Sequence, residues 1–163
     1  IEILNKKILN NEPVGDIRVF SSELTGTEVP PDISPSMIDE YPILSIAACF
    51  AKGKTKLTGL KELKYKESNR LKSIYEMLKN FEVDVVESND ELTIQNKKQY
   101  LPGNCKVSTY QDHRIAMSAI IAGMASNSPI QIDDSLMIDT SFPGFIEILN
   151  SIEGQVTEGC PTV

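Results

Sequence analysis

The sequence predicts an α/β protein built from repeated βαβαββ units, of which about two are present. Two observations predict this class. Stretches rich in β-branched residues alternate with stretches whose apolar residues recur at the helical period. The pattern also repeats after 73 residues, so that Asp39 and Asp112 begin matching segments, each an apolar helix, a small turn and a strand. Two such copies indicate one duplicated globular fold rather than a solenoid.

The first unit, over about residues 12–100, is expected to begin with a strand at 16–21 and a loop at 22–37 rich in Pro, Ser and Gly. Asp39 is expected to be the N-cap of a helix that runs to about Ala51 and is stopped by Gly53.

The unit continues with a strand at 54–60 and an amphipathic helix at about 66–80, predicted from the spacing of Leu71, Ile74 and Leu78. A hairpin is expected to close it, with strands at 82–87 and 91–95.

The second unit, over about residues 101–163, repeats the order. We expect a strand at 105–109, a helix from Asp112 to about Ala125 and a strand at 129–133. A last helix at 143–152 would carry Pro143 in its first turn and Ser141 or Phe142 near its cap. Residues 154–163 are polar and weakly patterned, which indicates a loose tail or one short strand.

Composition limits the classes of function. The chain has 163 residues, with 16 basic against 23 acidic side chains and a net charge of -7. Such a charge repels a polyphosphate backbone, so a general nucleic-acid binder is disfavoured and any anionic ligand must meet a local cluster of Lys and Arg.

The cysteine content, the hydropathy and the first residue indicate the cellular compartment of the protein and the part of it that this sequence represents. Three cysteines, without a CxxC pair and with one histidine, predict neither a zinc site nor a disulfide framework, and reduced thiols favour the cytoplasm. The longest apolar stretch, 43–51, is too short for a membrane span. The first residue is Ile1 rather than Met, and we expect the sequence to begin within a longer protein.

Three predicted helix starts carry charged side chains. These are Asp39 and Glu40; Lys66, Glu67 and Arg70; and Asp112, His113 and Arg114. Because a helix start is electropositive, cations there are unfavourable unless an anion also binds. Each group alone is explained by ordinary capping and surface charge. Together, in a repeated fold, they predict a site on one face.

Four strings then identify a family. They are PSMIDEYPIL at 35–44, KESNRL at 66–71, DHRIAMS at 112–118 and TSFPGF at 140–145. In wording, order and spacing they resemble the signatures of the EPSP synthases, also called 3-phosphoshikimate 1-carboxyvinyltransferases, and the resemblance covers about residues 12–152.

The resemblance implies an enolpyruvyl transferase fold of two lobes, each with three βαβαββ units, and residues 1–163 would be part of the C-terminal lobe. It implies transfer of the enolpyruvyl group of phosphoenolpyruvate to the 5-hydroxyl of shikimate 3-phosphate, with release of phosphate and without a metal or organic cofactor. The N-terminal lobe would supply the rest of the site, so we expect the chain alone to be inactive.

Roles follow by matching position. Asp39 resembles the carboxylate that takes up the 5-hydroxyl proton, and Glu67 resembles the acid beside the phosphoenolpyruvate methylene. Lys66 matches a lysine on shikimate 3-phosphate, and Arg70 and Arg114 match the arginines on phosphoenolpyruvate. The inhibitor glyphosate would share the phosphoenolpyruvate side of the site.

Asp112 and His113 are expected to cap the helix and to orient Arg114. Two positions depart from the family pattern: Asn69 stands where Asp is usual, and Thr140 stands where some members place a phosphate-binding lysine.

Two alternatives stay open on the sequence. The related enolpyruvyl transferase of UDP-amino sugars shares the folding unit, although it should lack the strings at 66–70 and 112–118. A non-catalytic binding module descended from the same unit is a different class of function, and ligand-binding assays would separate it from an enzyme.

Overall fold

The structure is a computed structural model, and it describes residues 1–98, 100–157 and 159. Its strands are β1 (Glu2–Leu9), β2 (Glu12–Arg18), β3 (Glu28–Val29), β4 (Thr55–Leu57), β5 (Asp84–Ser88), β6 (Glu91–Gln95), β7 (Cys105–Val107) and β8 (Ile130–Ile132). Its α-helices are α1 (Ser34–Met37), α2 (Tyr41–Ala48), α3 (Arg70–Asn80), α4 (His113–Met124), α5 (Ile138–Ser141) and α6 (Phe145–Ser151). Two short 3-10 helices cover Pro31–Ile33 and Lys61–Tyr65.

The strands form three sheets. β1 and β2 make an antiparallel hairpin, and β7 pairs in parallel with β8. The central sheet has the order β3-β4-β6-β5, in which only the β3–β4 pair is parallel. The first unit therefore reads β3-α2-β4-α3-β5-β6, and the α/β class is confirmed.

The repeat is visible at the parallel strand pairs. The amide of Thr58 donates to the carbonyl of Val29, and the amide of Asp133 donates to that of Val107 in the same way. Gly26 and Gly103 begin the paired segments, where a Cβ would lie 2.2 Å from the Lys54 oxygen and 1.9 Å from the Ser128 oxygen. Only glycine allows this approach of two backbones.

The first predicted strand, at 16–21, was only partly right, because residues 16–18 are in a strand but that strand does not open the unit. Residues 12–18 form β2, which pairs with β1 in a hairpin whose turn residues Asn10 and Asn11 both have positive φ. The strand that opens the unit is β3, inside the predicted loop. A strand of two residues between polar and proline-rich segments has no period that a sequence could reveal.

Several helix boundaries were also wrong. α2 begins at Tyr41, and Glu40 rather than Asp39 occupies the N-cap position, without a side-chain bond. α3 begins at Arg70 rather than at residue 66, because the preceding segment is a 3-10 helix that ends at Tyr65.

The last helix is shorter than expected. α6 begins at Phe145 rather than at Pro143, because Gly144 adopts a left-handed conformation with φ 79°, and α5 was missed. The β5–β6 hairpin and the predicted extent of α4 are confirmed. The predicted strands at 54–60, 105–109 and 129–133 each shorten to three residues.

The predicted tail falls largely outside the description. Residues 154–157 are in neither helix nor strand, and residues 158 and 160–163 lie outside the described residues. Among the described helices none is long and apolar enough to cross a membrane.

One apolar core joins the two units. It contains residues of all three long helices, among them Tyr41, Leu71, Ile74 and Ala119. The opposite face of α4, with Ala116 and Ile120, packs on α5 and α6 in a second cluster. Because α4 is buried on both faces, its first turn is held firmly against the starts of α2 and α3.

Candidate active site

Arg70 lies at the centre of the candidate site. It is the first residue of α3, and its side chain is fully buried. Its Nε donates to Asp112 Oδ2 at 2.7 Å, its Nη1 to Asp39 Oδ1 at 2.7 Å and its Nη2 to Glu67 Oε2 at 2.5 Å. All three nitrogens of one guanidinium thus meet carboxylates, and we call this group the Arg70 cluster.

The three carboxylates come from three different segments. Asp39 stands in the turn before α2, Glu67 in the bend before α3 and Asp112 at the N-cap of α4. A charged guanidinium is buried at a large desolvation penalty, which only close and well-oriented acids offset. The Arg70 cluster therefore fixes the starts of three helices against one another.

Asp112 is the buried anchor of the cluster. It is fully buried, and its Oδ1 accepts the amide of Arg114 at 3.0 Å as an N-cap should. Its Oδ2 accepts the Ser68 hydroxyl at 3.0 Å as well as Arg70 Nε. Asp112 thus caps α4 as predicted, while its carboxylate orients the guanidinium of Arg70 rather than that of Arg114.

The turn before Asp112 holds an uncommon backbone. Tyr110 and Gln111 both have positive φ, 54° and 57°, which non-glycine residues rarely adopt. Asp133 accepts the amide of Thr109 at 2.8 Å, and the Tyr110 phenol bonds the Glu76 carboxylate. These contacts, from Asp133 directly after β8 and from Glu76 of α3, hold the turn that positions Asp112.

Arg114 lies beside the cluster and is held more loosely. Its side chain is 30% exposed, and its Nη1 donates to the Asp39 carbonyl at 3.1 Å. Its other partners, Asp39 Oδ2 and Glu40 Oε1, are each 3.5 Å away. Arg114 can therefore exchange these contacts for a ligand anion with little rearrangement.

Two carboxylates of the cluster also reach solvent. The side chains of Asp39 and Glu67 are 42% and 48% exposed, whereas that of Asp112 is fully buried. Proton exchange with a bound substrate is thus open to Asp39 and Glu67 and closed to Asp112.

The pKa of Asp39 is set by opposing effects. Burial alone would raise it, but the hydrogen bond from Arg70 and the charges of Arg114, Arg70 and Lys66 outweigh burial and hold the pKa below its ordinary value. For Arg70, burial would lower the pKa, and the bonds to Asp112 and Asp39 hold it above its ordinary value. Both groups are therefore charged at neutral pH.

The remaining predicted residues make no direct contact with the Arg70 cluster among the described hydrogen bonds and ion pairs. Lys66 is exposed, and His113 is half-buried as the first residue of α4. Neither makes a side-chain hydrogen bond or ion pair with another described residue. Thr140 is exposed and donates to its own helix at Met137.

The prediction of charged first turns was only partly right. Arg70 and Arg114 lie in the first turns of α3 and α4, but Lys66 and Glu67 precede α3, and Asp39 precedes α2. Asn69, which departs from the family pattern, is the N-cap of α3 and accepts the amide of Lys72 at 3.2 Å. Asn and Asp cap helices about equally well, so this departure keeps the cap.

Sequence reasoning assigned no contact to Ser68 and none to Glu40, although it placed Glu40 among the charged residues of the site. Ser68 bonds Asp112, and Glu40 reaches Arg114. Both stand within the strings at 66–71 and 35–44, but a string does not show which neighbour a side chain meets.

The site is an open face rather than a pocket. Tyr75 lines two grooves of about 310 and 440 Å³, and neither of them is lined by Arg70 or Arg114. A ligand held by Arg114 would therefore need a second surface to enclose it.

The family model for EPSP synthase (3-phosphoshikimate 1-carboxyvinyltransferase) matches residues 3–149. The chain belongs to the EPSP synthase family. The match includes every residue of the Arg70 cluster, together with Lys66, His113 and Arg114.

Individual members of the EPSP synthase family are closely similar. The 3-phosphoshikimate 1-carboxyvinyltransferase of Petrotoga mobilis is 48% identical over 93% of this chain and 35% of its own length. That of Bradyrhizobium diazoefficiens is 49% identical over 86% of this chain and 30% of its own length. A solved structure of EPSP synthase from Acinetobacter baumannii superposes with a TM-score of 0.86 at 37% identity, over 92% of this chain and 35% of that one. The chain spans about a third of the length of the relatives it matches.

Proposed function

We propose that this chain is part of the C-terminal lobe of an EPSP synthase and supplies half of its active site. The reaction is transfer of the enolpyruvyl group of phosphoenolpyruvate to the 5-hydroxyl of shikimate 3-phosphate. The observation that carries this proposal is the Arg70 cluster with Arg114 beside it, in a chain of this family. The N-terminal lobe would supply the second surface, and unit one would cover about 12–100 and unit two about 101–163.

Each of the three cations, Lys66, Arg70 and Arg114, is proposed to bind an anionic group of one substrate. Arg114 and Arg70 would bind phosphoenolpyruvate, for which a planar guanidinium offers paired donors. Because Arg70 is buried, it would reach the ligand only after Glu67 moves away from its Nη2. Lys66 would bind the phosphate of shikimate 3-phosphate. Glyphosate would occupy the phosphoenolpyruvate side and act as an inhibitor. Asp112 does not touch substrate in this proposal, because it is buried behind Arg70.

Asp39 and Glu67 are the proposed proton-transfer groups. In the addition step the 5-hydroxyl oxygen bonds to the enol carbon, its proton passes to Asp39 and Glu67 protonates the methylene carbon. In the elimination step the new methyl group loses a proton and phosphate leaves with the electrons of its C–O bond. Both carboxylates are part-exposed and within hydrogen-bond distance of Arg70, as a shared site requires.

Substrate binding would adjust the basicity of Asp39. Its pKa is low because burial is outweighed by Arg70, Arg114 and Lys66. Anions of the substrates would neutralise part of this charge, and closure of a second lobe would remove water, so both would raise the pKa of Asp39. Asp39 would thus become an effective base when both substrates are present.

The experiment uses this chain together with the part of the Petrotoga mobilis relative that it does not match, supplied as a second polypeptide. We expect Glu67→Gln to lower phosphate release about a hundredfold or more, as the loss of a general acid does. Glu87→Gln on β5 removes the same charge from an exposed residue and should leave the rate unchanged. Equal rates for the two variants would remove Glu67 from the mechanism.

A further inference from the structure

The Glu40 carboxylate contacts Arg114 at the edge of the Arg70 cluster, with its Oε1 3.5 Å from Arg114 Nη1. We propose that Glu40 competes with the ligand anion for Arg114 and thereby sets the affinity of this site for phosphoenolpyruvate. The inference rests on the proposed function for the identity of the anion. It goes beyond that function by giving a role to a residue outside the predicted catalytic and binding set.

The charge balance of the face motivates the proposal. Its cations are Lys66, Arg70 and Arg114, while its acids are Asp39, Glu40, Glu67 and Asp112. Acids therefore outnumber cations on a face that is proposed to bind anions. At least one carboxylate must withdraw from a guanidinium before a ligand carboxylate or phosphate can approach it.

The distances show which carboxylate withdraws most easily. Arg70 is buried and holds Asp112, Asp39 and Glu67 within 2.7 Å, so each of its three nitrogens already donates to a carboxylate. Arg114 is part-exposed and lies 3.5 Å from Glu40 Oε1, which is near the limit of a hydrogen bond.

The Glu40 side chain is also free to leave. It is 58% exposed, and Arg114 is the only cation with which it pairs among the described residues. Asp39, the other acid near Arg114, is bonded to Arg70 and stays. A contact this long and exposed stabilises the fold little, so its loss is easily offset by a ligand.

A positioning role for Glu40 would predict the opposite change in the affinity of the site for the anion. If Glu40 positioned Arg114 for the ligand, its removal would weaken anion binding. If Glu40 competes with the ligand, its removal strengthens binding, both because Arg114 loses a competing partner and because a nearby negative charge is gone. The sign of the change therefore decides between the two roles.

The test is titration of phosphoenolpyruvate into this chain combined with the unmatched part of the Petrotoga mobilis relative, by isothermal calorimetry at constant ionic strength. We expect Glu40→Gln to lower the dissociation constant about three- to tenfold. Glu40→Asp keeps the charge on a shorter side chain and should fall between Glu40→Gln and the unchanged chain. The control Glu12→Gln removes the same charge from an exposed residue of the β1–β2 hairpin and should leave the constant unchanged.

The other outcomes are distinct. A dissociation constant that is unchanged or higher in Glu40→Gln would overturn the competition while leaving the proposed function in place. An equal gain in Glu12→Gln would also overturn it, because net charge would then explain the effect. Absence of binding in Glu40→Gln would overturn it as well, and the proposed function itself would fail only if the two-polypeptide assay also released no phosphate.

Discussion

At the scale of single residues, Arg70 matters most for the site. Its three nitrogens meet Asp112, Asp39 and Glu67, and the side chain has no contact with solvent. A buried ion pair of this kind contributes little net stability when complete, but leaves uncompensated buried charge when one partner is removed. Arg70 is therefore a structural requirement as well as a proposed ligand of substrate.

We expect Arg70→Lys to lower the free energy of unfolding by roughly 2 kcal/mol or more, because one ammonium cannot reach three carboxylates in the fixed geometry of a guanidinium. Urea unfolding followed by circular dichroism measures the change. Arg18→Lys, at an exposed residue 3.8 Å from Glu2, is the matched control and should change stability by less than about 0.5 kcal/mol. Equal stability of the two variants would contradict the role of the Arg70 cluster.

The pKa of Asp39 predicts part of the acid sensitivity. Because this pKa is lower in the folded chain than the ordinary value of an aspartate, the unfolded chain binds more protons at acid pH. The contribution of Asp39 is therefore complete above about pH 4 and is lost as the pH falls through the lower, folded value.

We expect the unfolding free energy of Asp39→Asn to depend less on pH between about 5 and 2.5 than that of the unchanged chain. Chemical unfolding at a series of pH values measures the two slopes. Asp32→Asn removes the same charge from an exposed 3-10 helix and should leave the slope unchanged. A slope that Asp39→Asn does not alter would show that Asp39 is not held in its charged form by the arginines.

At the scale of elements, the repeated strand pair depends on glycine at its beginning. Gly103 has φ 78°, and a Cβ there would lie 1.9 Å from the Ser128 oxygen, so backbone must move to admit it. Gly123 within α4 is different, because the nearest atom to its Cβ would be 3.5 Å away on Ile130.

We expect Gly103→Ala to destabilise the chain by more than 1 kcal/mol, because of both the strained φ and the clash. Gly123→Ala should be neutral or stabilising by up to about 1 kcal/mol, since alanine favours a helix. Thermal unfolding of the two variants makes the comparison. A stable Gly103→Ala chain would argue against close packing of the two segments.

The elements that sequence reasoning predicted well are local ones. The β5–β6 hairpin and α4 each depend on residues near in sequence, with a tight turn in one case and the Asp112 cap in the other. The β3 strand and the start of α3 were missed, because a distant strand and a 3-10 turn decide them.

In the candidate site, too, the local features could be predicted from the sequence and the contacts between distant residues could not. Its residue types were predicted from the strings, but the bonds of Arg70 join residues 31 and 42 positions apart. No local pattern encodes which carboxylate reaches which nitrogen. The three bonds of Arg70 and the contact between Glu40 and Arg114 therefore could be found only from the structure.

At the scale of the whole molecule, the chain presents two surfaces that a larger protein would cover. One is the surface formed by the part-exposed side chains of Asp39, Glu67 and Arg114. The other is the β1–β2 hairpin, which carries exposed apolar side chains such as Ile3, Ile8 and Ile17. Since the chain spans about a third of its relatives, these surfaces fit the proposal that it acts within a two-lobed enzyme.

The most direct measurement is phosphate release from shikimate 3-phosphate and phosphoenolpyruvate by three samples. These are this chain alone, the unmatched part of the Petrotoga mobilis relative alone, and both together. We predict turnover only in the combined sample, because the proposed function gives the cations and the carboxylates of this chain one side of the site only. Turnover by this chain alone would contradict the half-site, and two folded pieces that associate without turnover would favour a non-catalytic binding module.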